Sequence, residues 1–356
     1  MTFDLPSLGW DDAYSAAYRD FARPDARPGR VTRVDRGVCT VLTADGAVRA
    51  SLAGAMLSAA AGNPEALPCT GDWIVVRAWP DERLTVEAVL PRRTAVVRRT
   101  ADKGSTGQVL AANMDAAAAV EPMDPAPDIG RVERLLALAW ESGAQPLVLL
   151  TKADLAADPA AVAAQVARAA PGVPVLPVSA ERGVGLAELR PYVAPGRTLG
   201  LLGPSGAGKS TLVNALVGVS VMVTQQIRRV DGKGRHTTTH RALVPIPGGG
   251  AVLDTPGLRS VGLLSATDGL ESAFADVTAL AARCRFADCS HHGEPGCEVQ
   301  AALDTGELSR RRYESWRRLQ REIAYELRRR DVRLAAEERE RWKKIHKEQR
   351  ARGYRP

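Results

Sequence analysis

One glycine-rich segment constrains the fold of this chain more than any other. The segment GPSGAGKS, residues 203–210, fits the spacing G-x-x-x-x-G-K-[ST], in which backbone N–H groups close around phosphate oxygens. It follows the apolar run TLGLL and precedes the helix-like run KSTLVNALVG. This context predicts a phosphate-binding loop, with Lys209 reaching the β- and γ-phosphates and Ser210 ligating Mg²⁺. The residues expected to contact the phosphates are Gly203, Pro204, Ser205, Gly206, Ala207, Gly208, Lys209, Ser210 and Thr211.

Apolar strand candidates alternate with helical stretches from about residue 103. The strand candidates are 116–121, 146–151, 173–179, 198–203, 242–246 and 251–254, and the helical stretches are 130–142, 159–170, 186–192 and 208–217. This alternation predicts a mostly parallel sheet covered by helices on both faces. Ligands of such sheets bind beyond the carboxyl ends of the strands, where the phosphate-binding loop falls.

A second motif, TKAD at residues 151–154, closes another apolar strand. A carboxylate at Asp154 can accept hydrogen bonds from guanine N1–H and N2–H₂, whereas adenine would leave it unpaired, and unpaired buried polar groups are costly. Lys152 can lay its stem along the base. We expect Thr151, Lys152, Ala153 and Asp154 at the base. Alone, the motif is equally consistent with a helix N-cap.

The segment PVSAERGVG strengthens the guanine interpretation. Ser179 and Ala180 end a further strand, so a backbone amide there can meet guanine O6, although an ordinary strand-to-helix loop would also fit. Three motifs at three strand ends together predict a guanine-nucleotide site.

Two segments after the phosphate-binding loop carry metal and γ-phosphate chemistry. In AVLDTPG, Asp254 is expected to hold Mg²⁺ through water and the Gly257 amide to sense the γ-phosphate. GRHTTTH, residues 234–240, suits a switch loop in which Thr237, Thr238 or Thr239 ligates the metal; we assign Thr238.

The residue after Gly257 is Leu258, where Ras-like GTPases place a water-orienting Gln. Leucine cannot orient water, so intrinsic hydrolysis should be slow or use another group. His236 is the candidate catalytic residue, with a solvated loop histidine as the alternative.

Short strands with Gly and Asp turns fill residues 30–102 and predict a small closed barrel. An OB fold is the first choice and an SH3-like barrel is nearly as good on pattern alone. Residues 1–29 are rich in Asp, Arg and Pro and are expected to form a mobile or loosely packed arm.

Three of the five cysteines crowd into CRFADCSHHGEPGC, residues 284–297. Cys284, Cys289 and Cys297 with one histidine make a closed tetrahedral set, which is the structural type of zinc site. His291 and His292 compete for the fourth position. The segment has few apolar residues, so the metal would supply much of its folding energy.

The net charge of +7 is concentrated at the C-terminal end. Residues 310–356 hold 18 Lys and Arg against eight Asp and Glu, and Tyr313, Trp316, Leu319, Ile323 and Leu327 form one apolar stripe on a helix. This tail is either a solvated helix or one that contacts protein and RNA phosphate. No apolar run spans a membrane and no export signal is visible, so we expect a cytoplasmic protein. We also expect a monomer.

The order guanine motif, Ser-Ala loop, phosphate loop, threonine switch and DTPG is a circular permutation of the Ras-like order. With the barrel before it and the Cys/His cluster after it, the chain resembles the RsgA/YjeQ family of ribosome small-subunit-dependent GTPases over about residues 30–320. The resemblance selects His291 as the zinc ligand. It also implies action late in 30S maturation, on 16S rRNA, with GTP hydrolysis stimulated by the subunit. Thr151 departs from the Asn that many relatives carry.

We therefore expect a multi-domain chain: an N-terminal OB-fold β-barrel, a central circularly permuted α/β P-loop GTPase domain and a C-terminal zinc-binding, mostly helical domain. The expected boundaries are an arm at 1–29, the barrel at 30–102, the GTPase domain at 103–263, the zinc-binding domain at 264–309 and a basic helix at 310–356. The alternative function is an RNA-binding zinc/OB protein with a regulatory, weakly hydrolytic guanine-nucleotide site.

Overall fold

The computed structural model describes residues 2–99, 107–222, 241–255 and 267–330. The strands are β1 Ala26–Asp35, β2 Val38–Thr43, β3 Gly46–Leu52, β4 Trp73–Ala78, β5 Leu84–Val89, β6 Ala95–Arg99, β7 Gly107–Ala112, β8 Ala116–Pro122, β9 Gln145–Thr151, β10 Val175–Pro177, β11 Thr198–Leu202, β12 Ala242–Pro245 and β13 Ala251–Thr255. The α-helices are α1 Asp12–Tyr18, α2 Gly54–Gly62, α3 Ile129–Glu141, α4 Pro159–Ala167, α5 Leu186–Leu189, α6 Lys209–Val217, α7 Thr267–Ala273, α8 Ala275–Ala281, α9 Glu298–Thr305 and α10 Arg310–Arg330.

The first five strands close into a barrel with the order β1-β2-β3-β5-β4. β3 and β5 pair in parallel, and α2 lies between β3 and β4 in the chain. A five-stranded barrel with this crossover has the OB arrangement, so the first choice of fold is confirmed over the SH3-like alternative. Its interior is apolar because alternate strand positions point inward, as at Val31, Val41 and Ile74, each 0% exposed.

The prediction of a loosely packed arm at residues 1–29 is wrong. Asp11 caps α1 by accepting hydrogen bonds from the N–H groups of Ala13 and Tyr14. Leu8 and Tyr14 are buried against Trp73 of the barrel. The composition suggested mobility, but a few large apolar side chains suffice to dock the segment.

The second sheet has six strands in the order β10-β9-β8-β11-β13-β12. Every neighbouring pair is parallel except the edge pair of β12 with β13. The strand that precedes the phosphate-binding loop, β11, lies between β8 and β13 near the middle of the sheet. Three strands of the sheet come before it in the chain, which is the permuted order that the motifs predicted.

Several elements differ from the sequence expectation in length. α4 ends at Ala167 and β10 has three residues, so both are shorter than predicted. α7 and α8 are separated only by Phe274, whose φ of −120° and ψ of 38° are not helical. β6 and β7 form a separate two-stranded ribbon outside the barrel.

The C-terminal region is helical around the cysteine cluster. On α10 the predicted stripe residues Tyr313, Trp316, Leu319 and Ile323 are buried, whereas Leu327 is 37% exposed. The stripe therefore ends one turn earlier than predicted. Within the described ranges, no helix combines the length and apolarity that crossing a membrane would need.

Candidate functional site

The phosphate-binding loop leaves β11 at Leu202 and enters α6 at Lys209. Gly203 packs against β8 so closely that a Cβ there would lie 2.5 Å from the carbonyl oxygen of Val120. Gly206 and Gly208 have φ of 84° and 80°, a region in which side chains are strained. The loop therefore requires glycine at these three positions. The last glycine is the N-cap of α6, whose free N–H groups and dipole favour an anion.

Lys209 is buried at the start of α6, and its Nζ donates hydrogen bonds to the carbonyl oxygens of Gly203 and Pro204 at 2.9 and 2.8 Å. The ammonium group thus lies against the loop it belongs to. Ser210 and Thr211 follow in the first turn of α6 and are half-buried. The structure brings the whole predicted phosphate segment to the carboxyl edge of the sheet.

Thr151 joins this loop to the neighbouring strand end. Its hydroxyl, at the end of β9, lies 2.6 Å from the carbonyl oxygen of Ala207 and 3.3 Å from that of Glu121 at the end of β8. The side chain is 4% exposed. One threonine therefore ties the exits of three strands together.

The predicted base-reading residues lie together beyond β9 and β10. Lys152 has a left-handed backbone, with φ of 56°, which turns the chain so that Asp154 points back toward β10. Ser179 Oγ donates a hydrogen bond to Asp154 Oδ1 at 2.5 Å and accepts one from the backbone N–H of Arg182. The N–H of Ala153 donates to the carbonyl oxygen of Val178, which holds the two loops in register. Ala180 follows directly and is half-buried.

Asp254 lies on β13 beside the phosphate-binding loop, opposite Leu201 of β11. It is 1% exposed, and its Oδ1 has no hydrogen-bond partner among the residues that the structure describes. Burial raises the pKa of this carboxyl above its ordinary value, and the positive charge of Lys209 opposes the shift. A buried carboxylate oxygen without a donor fits a cation, so the site suits the Mg²⁺ that accompanies a nucleoside triphosphate.

Several predicted residues lie outside the described part of the chain. They are His236, Thr237, Thr238, Thr239, Gly257 and Leu258. Their assignments therefore remain predictions.

Three cysteines and one histidine form the second candidate site, in the loop of residues 284–297, which we name the metal loop. The ligand atoms of Cys284, Cys289, His291 and Cys297 all lie within 4.8 Å of one another. The Sγ atoms of Cys284 and Cys297 are 3.9 Å apart, and each lies about as close to His291 Nδ1, at 3.6 and 3.5 Å. Tetrahedral zinc with bonds of about 2.3 Å to sulfur requires ligand separations of about 3.8 Å.

The surroundings of His291 favour its role as a neutral ligand. Desolvation lowers the pKa of its imidazole. Its carbonyl oxygen accepts hydrogen bonds from Tyr313 Oη and Gln300 Nε2, and its ring packs beside Trp316. The neighbouring His292 is exposed. The cluster is thus compatible with one zinc ion, and the structure selects His291.

The sequence analysis did not predict the ionic contacts that join α10 to α3, the helix that packs on the α/β sheet. Arg312 of α10 is 3% exposed and donates to Glu133 of α3, to Asp276, and to the carbonyl oxygens of Ala169 and Ala273. Glu133 is itself 0% exposed. A glutamate on the apolar face of a predicted helix is the signal that could have indicated a buried partner.

Comparisons with known proteins give consistent matches. Residues 89–264 match the family described as RsgA GTPase. "Small ribosomal subunit biogenesis GTPase RsgA" of Streptomyces coelicolor is 53% identical over 96% of this chain and 92% of its own length, and that of Opitutus terrae is 46% identical over 98% and 97%.

Two solved structures share the fold. YjeQ from Thermotoga maritima aligns with a TM-score of 0.61 at 24% identity, over 84% of this chain and 98% of its own. YloQ, described as a circularly permuted GTPase, aligns with a TM-score of 0.57 at 23% identity, over 85% of this chain and 98% of its own.

Proposed function

The chain belongs to the RsgA GTPase family and is a GTP hydrolase, and from this premise we propose that it binds the 30S ribosomal subunit and assists its late maturation. The observation that carries the proposal is the similarity to relatives named small ribosomal subunit biogenesis GTPase, which extends over 92% and 97% of their lengths. The similarity therefore includes the barrel, the GTPase sheet and the metal loop. We further propose that the subunit stimulates GTP hydrolysis.

The base site follows from the pair of Asp154 and Ser179. Asp154 would accept hydrogen bonds from guanine N1–H and N2–H₂ through the carboxylate oxygen that Ser179 leaves free. Ser179 holds the other oxygen at 2.5 Å, which fixes the plane of the carboxylate before guanine binds. The backbone N–H of Ala180 is assigned to guanine O6, and the stem of Lys152 to the face of the base.

The phosphate site follows from residues 203–211. The loop amides would hold the α- and β-phosphates, and Lys209 would leave its carbonyl partners for the β- and γ-phosphates. Ser210, Asp254 and Thr238 are assigned to Mg²⁺, which when bound neutralises charge that develops between the β- and γ-phosphates. The buried Oδ1 of Asp254, for which the described part of the chain offers no hydrogen-bond donor, supports its assignment. The Gly257 amide is assigned to the γ-phosphate.

The hydrolytic water is activated by His236 or by a group of the ribosomal subunit. Leu258 supports the involvement of such a group, because its side chain cannot hydrogen-bond water at the position where Ras-like GTPases use Gln. Slow intrinsic turnover and acceleration by a partner are the expected consequences.

The partner surface is proposed to include 16S rRNA. α10 carries nine arginines against three glutamates in its 21 residues, and an arginine-rich helix attracts RNA phosphate. The metal loop would hold one structural zinc ion, because four protein ligands leave no open position for catalysis. We also propose that the protein is a cytoplasmic monomer.

Co-sedimentation with purified 30S subunits tests the binding step. The full chain should pellet with 30S in the presence of a non-hydrolysable GTP analogue and less so with GDP. Purified 50S subunits are the control. Equal recovery with 30S and 50S, or none with either, would contradict the proposal.

A further inference from the structure

Phe286, in the metal loop, has an environment unlike that of the other phenylalanines. The chain has only four. Phe274 is 0% exposed, and Phe3 and Phe21 pack against the apolar cluster between arm and barrel. Phe286 is 42% exposed and belongs to no apolar cluster of the described chain. A single exposed apolar residue is ordinary, so the following argument depends on how this one is held.

The metal loop presents Phe286 on a fixed backbone. The residue stands between two metal ligands, Cys284 and Cys289, and the N–H of Cys289 donates to the carbonyl oxygen of Phe286 at 3.2 Å. The N–H of Arg285 donates to the carbonyl oxygen of Gly296 across the loop at 3.0 Å. A turn held in this way loses little backbone conformational entropy when a partner binds.

One cationic group lies over this ring, and a second is close to it in the chain. The guanidinium carbon of Arg285 lies 5.5 Å from the centroid of Phe286. Arg283 and Arg285 are exposed, and Arg317 of α10 lies near His291 and donates to Tyr313 Oη. The carboxylate of Glu294 is already occupied by Ser290 and by the N–H of His292.

We propose that Phe286 and Arg285 form a stacking platform for an unpaired RNA base, with Arg283 holding a neighbouring phosphate. The proposal rests on the proposed function, because it names the part of the metal loop that would contact small-subunit RNA. An exposed aromatic ring beside arginines suits an RNA base followed by a phosphate. Every base offers a π-face that can stack on the ring, and every phosphodiester linkage carries a negative charge that an arginine can bind. An apolar protein partner would not need the arginines.

The test compares ring variants in 30S binding. Phe286→Ala and Phe286→Leu should raise the dissociation constant for 30S roughly 5- to 100-fold, whereas Phe286→Tyr keeps the π-face and should stay within about 3-fold of wild type. Leu57→Ala, at a residue 52% exposed on α2, is the matched control and should bind as wild type. Basal GTP turnover and a zinc content of one ion per chain should persist in all four.

Ultraviolet cross-linking identifies the partner of the ring. With wild-type protein and 30S, Phe286 should cross-link to a nucleotide. A cross-link from Phe286 to a ribosomal protein alone, or Phe286→Leu binding as tightly as wild type, would overturn the proposal. Failure of the wild-type chain to bind 30S would instead contradict the proposed function. Binding of a single-stranded oligouridine therefore tests the platform independently of 30S. We expect Phe286→Leu to weaken this binding and Phe286→Tyr to leave it unchanged. Equal oligouridine binding by both variants would overturn it.

Discussion

The hydroxyl of Thr151 lies 2.6 Å from the carbonyl oxygen of Ala207, so the strand that carries the base-reading motif is joined directly to the phosphate-binding loop. Both groups are buried. Removing the donor would leave a buried acceptor unpaired, which costs about 1–3 kcal/mol.

Thr151→Val should therefore weaken GTP and GDP binding by roughly 5- to 150-fold, because it keeps the shape and removes the donor. Thr151→Ser should restore most of the affinity. Thr43→Val is the control, because Thr43, which is 0% exposed, also donates a side-chain hydrogen bond to a backbone carbonyl oxygen, that of Gly46 in the barrel. Isothermal titration provides the constants. Equal affinities of Thr151→Val and wild type would show that the hydrogen bond does not shape the nucleotide site.

Asp154→Asn should reverse base preference from GTP to XTP. The side-chain amide of the variant can donate a hydrogen bond to the carbonyl that xanthine carries at position 2. Guanine has an amine at that position, so it would lose the hydrogen bond that Asp154 accepts. Asp158→Asn, at the N-cap of α4, is the matched control and should keep the preference for GTP. Competition binding of the two nucleotides measures the ratio. An unchanged GTP-to-XTP ratio would remove Asp154 from base recognition.

Asp254→Asn should stabilise the nucleotide-free protein at neutral pH while abolishing Mg²⁺-dependent turnover. Burial raises the folded-state pKa of Asp254 above 3.8, so its contribution favours the folded state at low pH and is lost as pH rises through the raised value. The stability difference between variant and wild type should therefore shrink as pH falls toward 3.8. Urea unfolding across this range measures it, and a difference independent of pH would contradict the assignment.

His291→Ala should lose the zinc ion and lower the melting temperature, because the metal loop has few apolar contacts to replace the metal. His292→Ala should retain one zinc ion per chain, since that side chain is exposed. Metal analysis by mass spectrometry and thermal unfolding distinguish the two. Zinc retained by His291→Ala and lost by His292→Ala would reverse the ligand assignment.

The motifs of the nucleotide and metal sites were predictable because their chemistry is local. Gly206 and Gly208 are needed for the loop's own backbone, and the ligands of the metal loop fall within 14 consecutive positions. The permuted strand order followed from the order of these motifs, and the sheet has that order.

Long-range packing was not predictable in the same way. The arm docks through Leu8 and Tyr14, whose partners on the barrel are distant in sequence. Arg312 and Glu133 are 179 positions apart, and only the folded chain brings them together. The composition of a segment indicates how polar that segment is. It does not indicate which distant segment will pack against it and bury its side chains.

The measurement that tests the account most directly is GTP turnover by the full chain with and without purified 30S subunits, with 50S subunits as control. The account predicts slow turnover alone, because Leu258 cannot orient water, and acceleration by 30S but not by 50S. Turnover that is the same in all three conditions would contradict it.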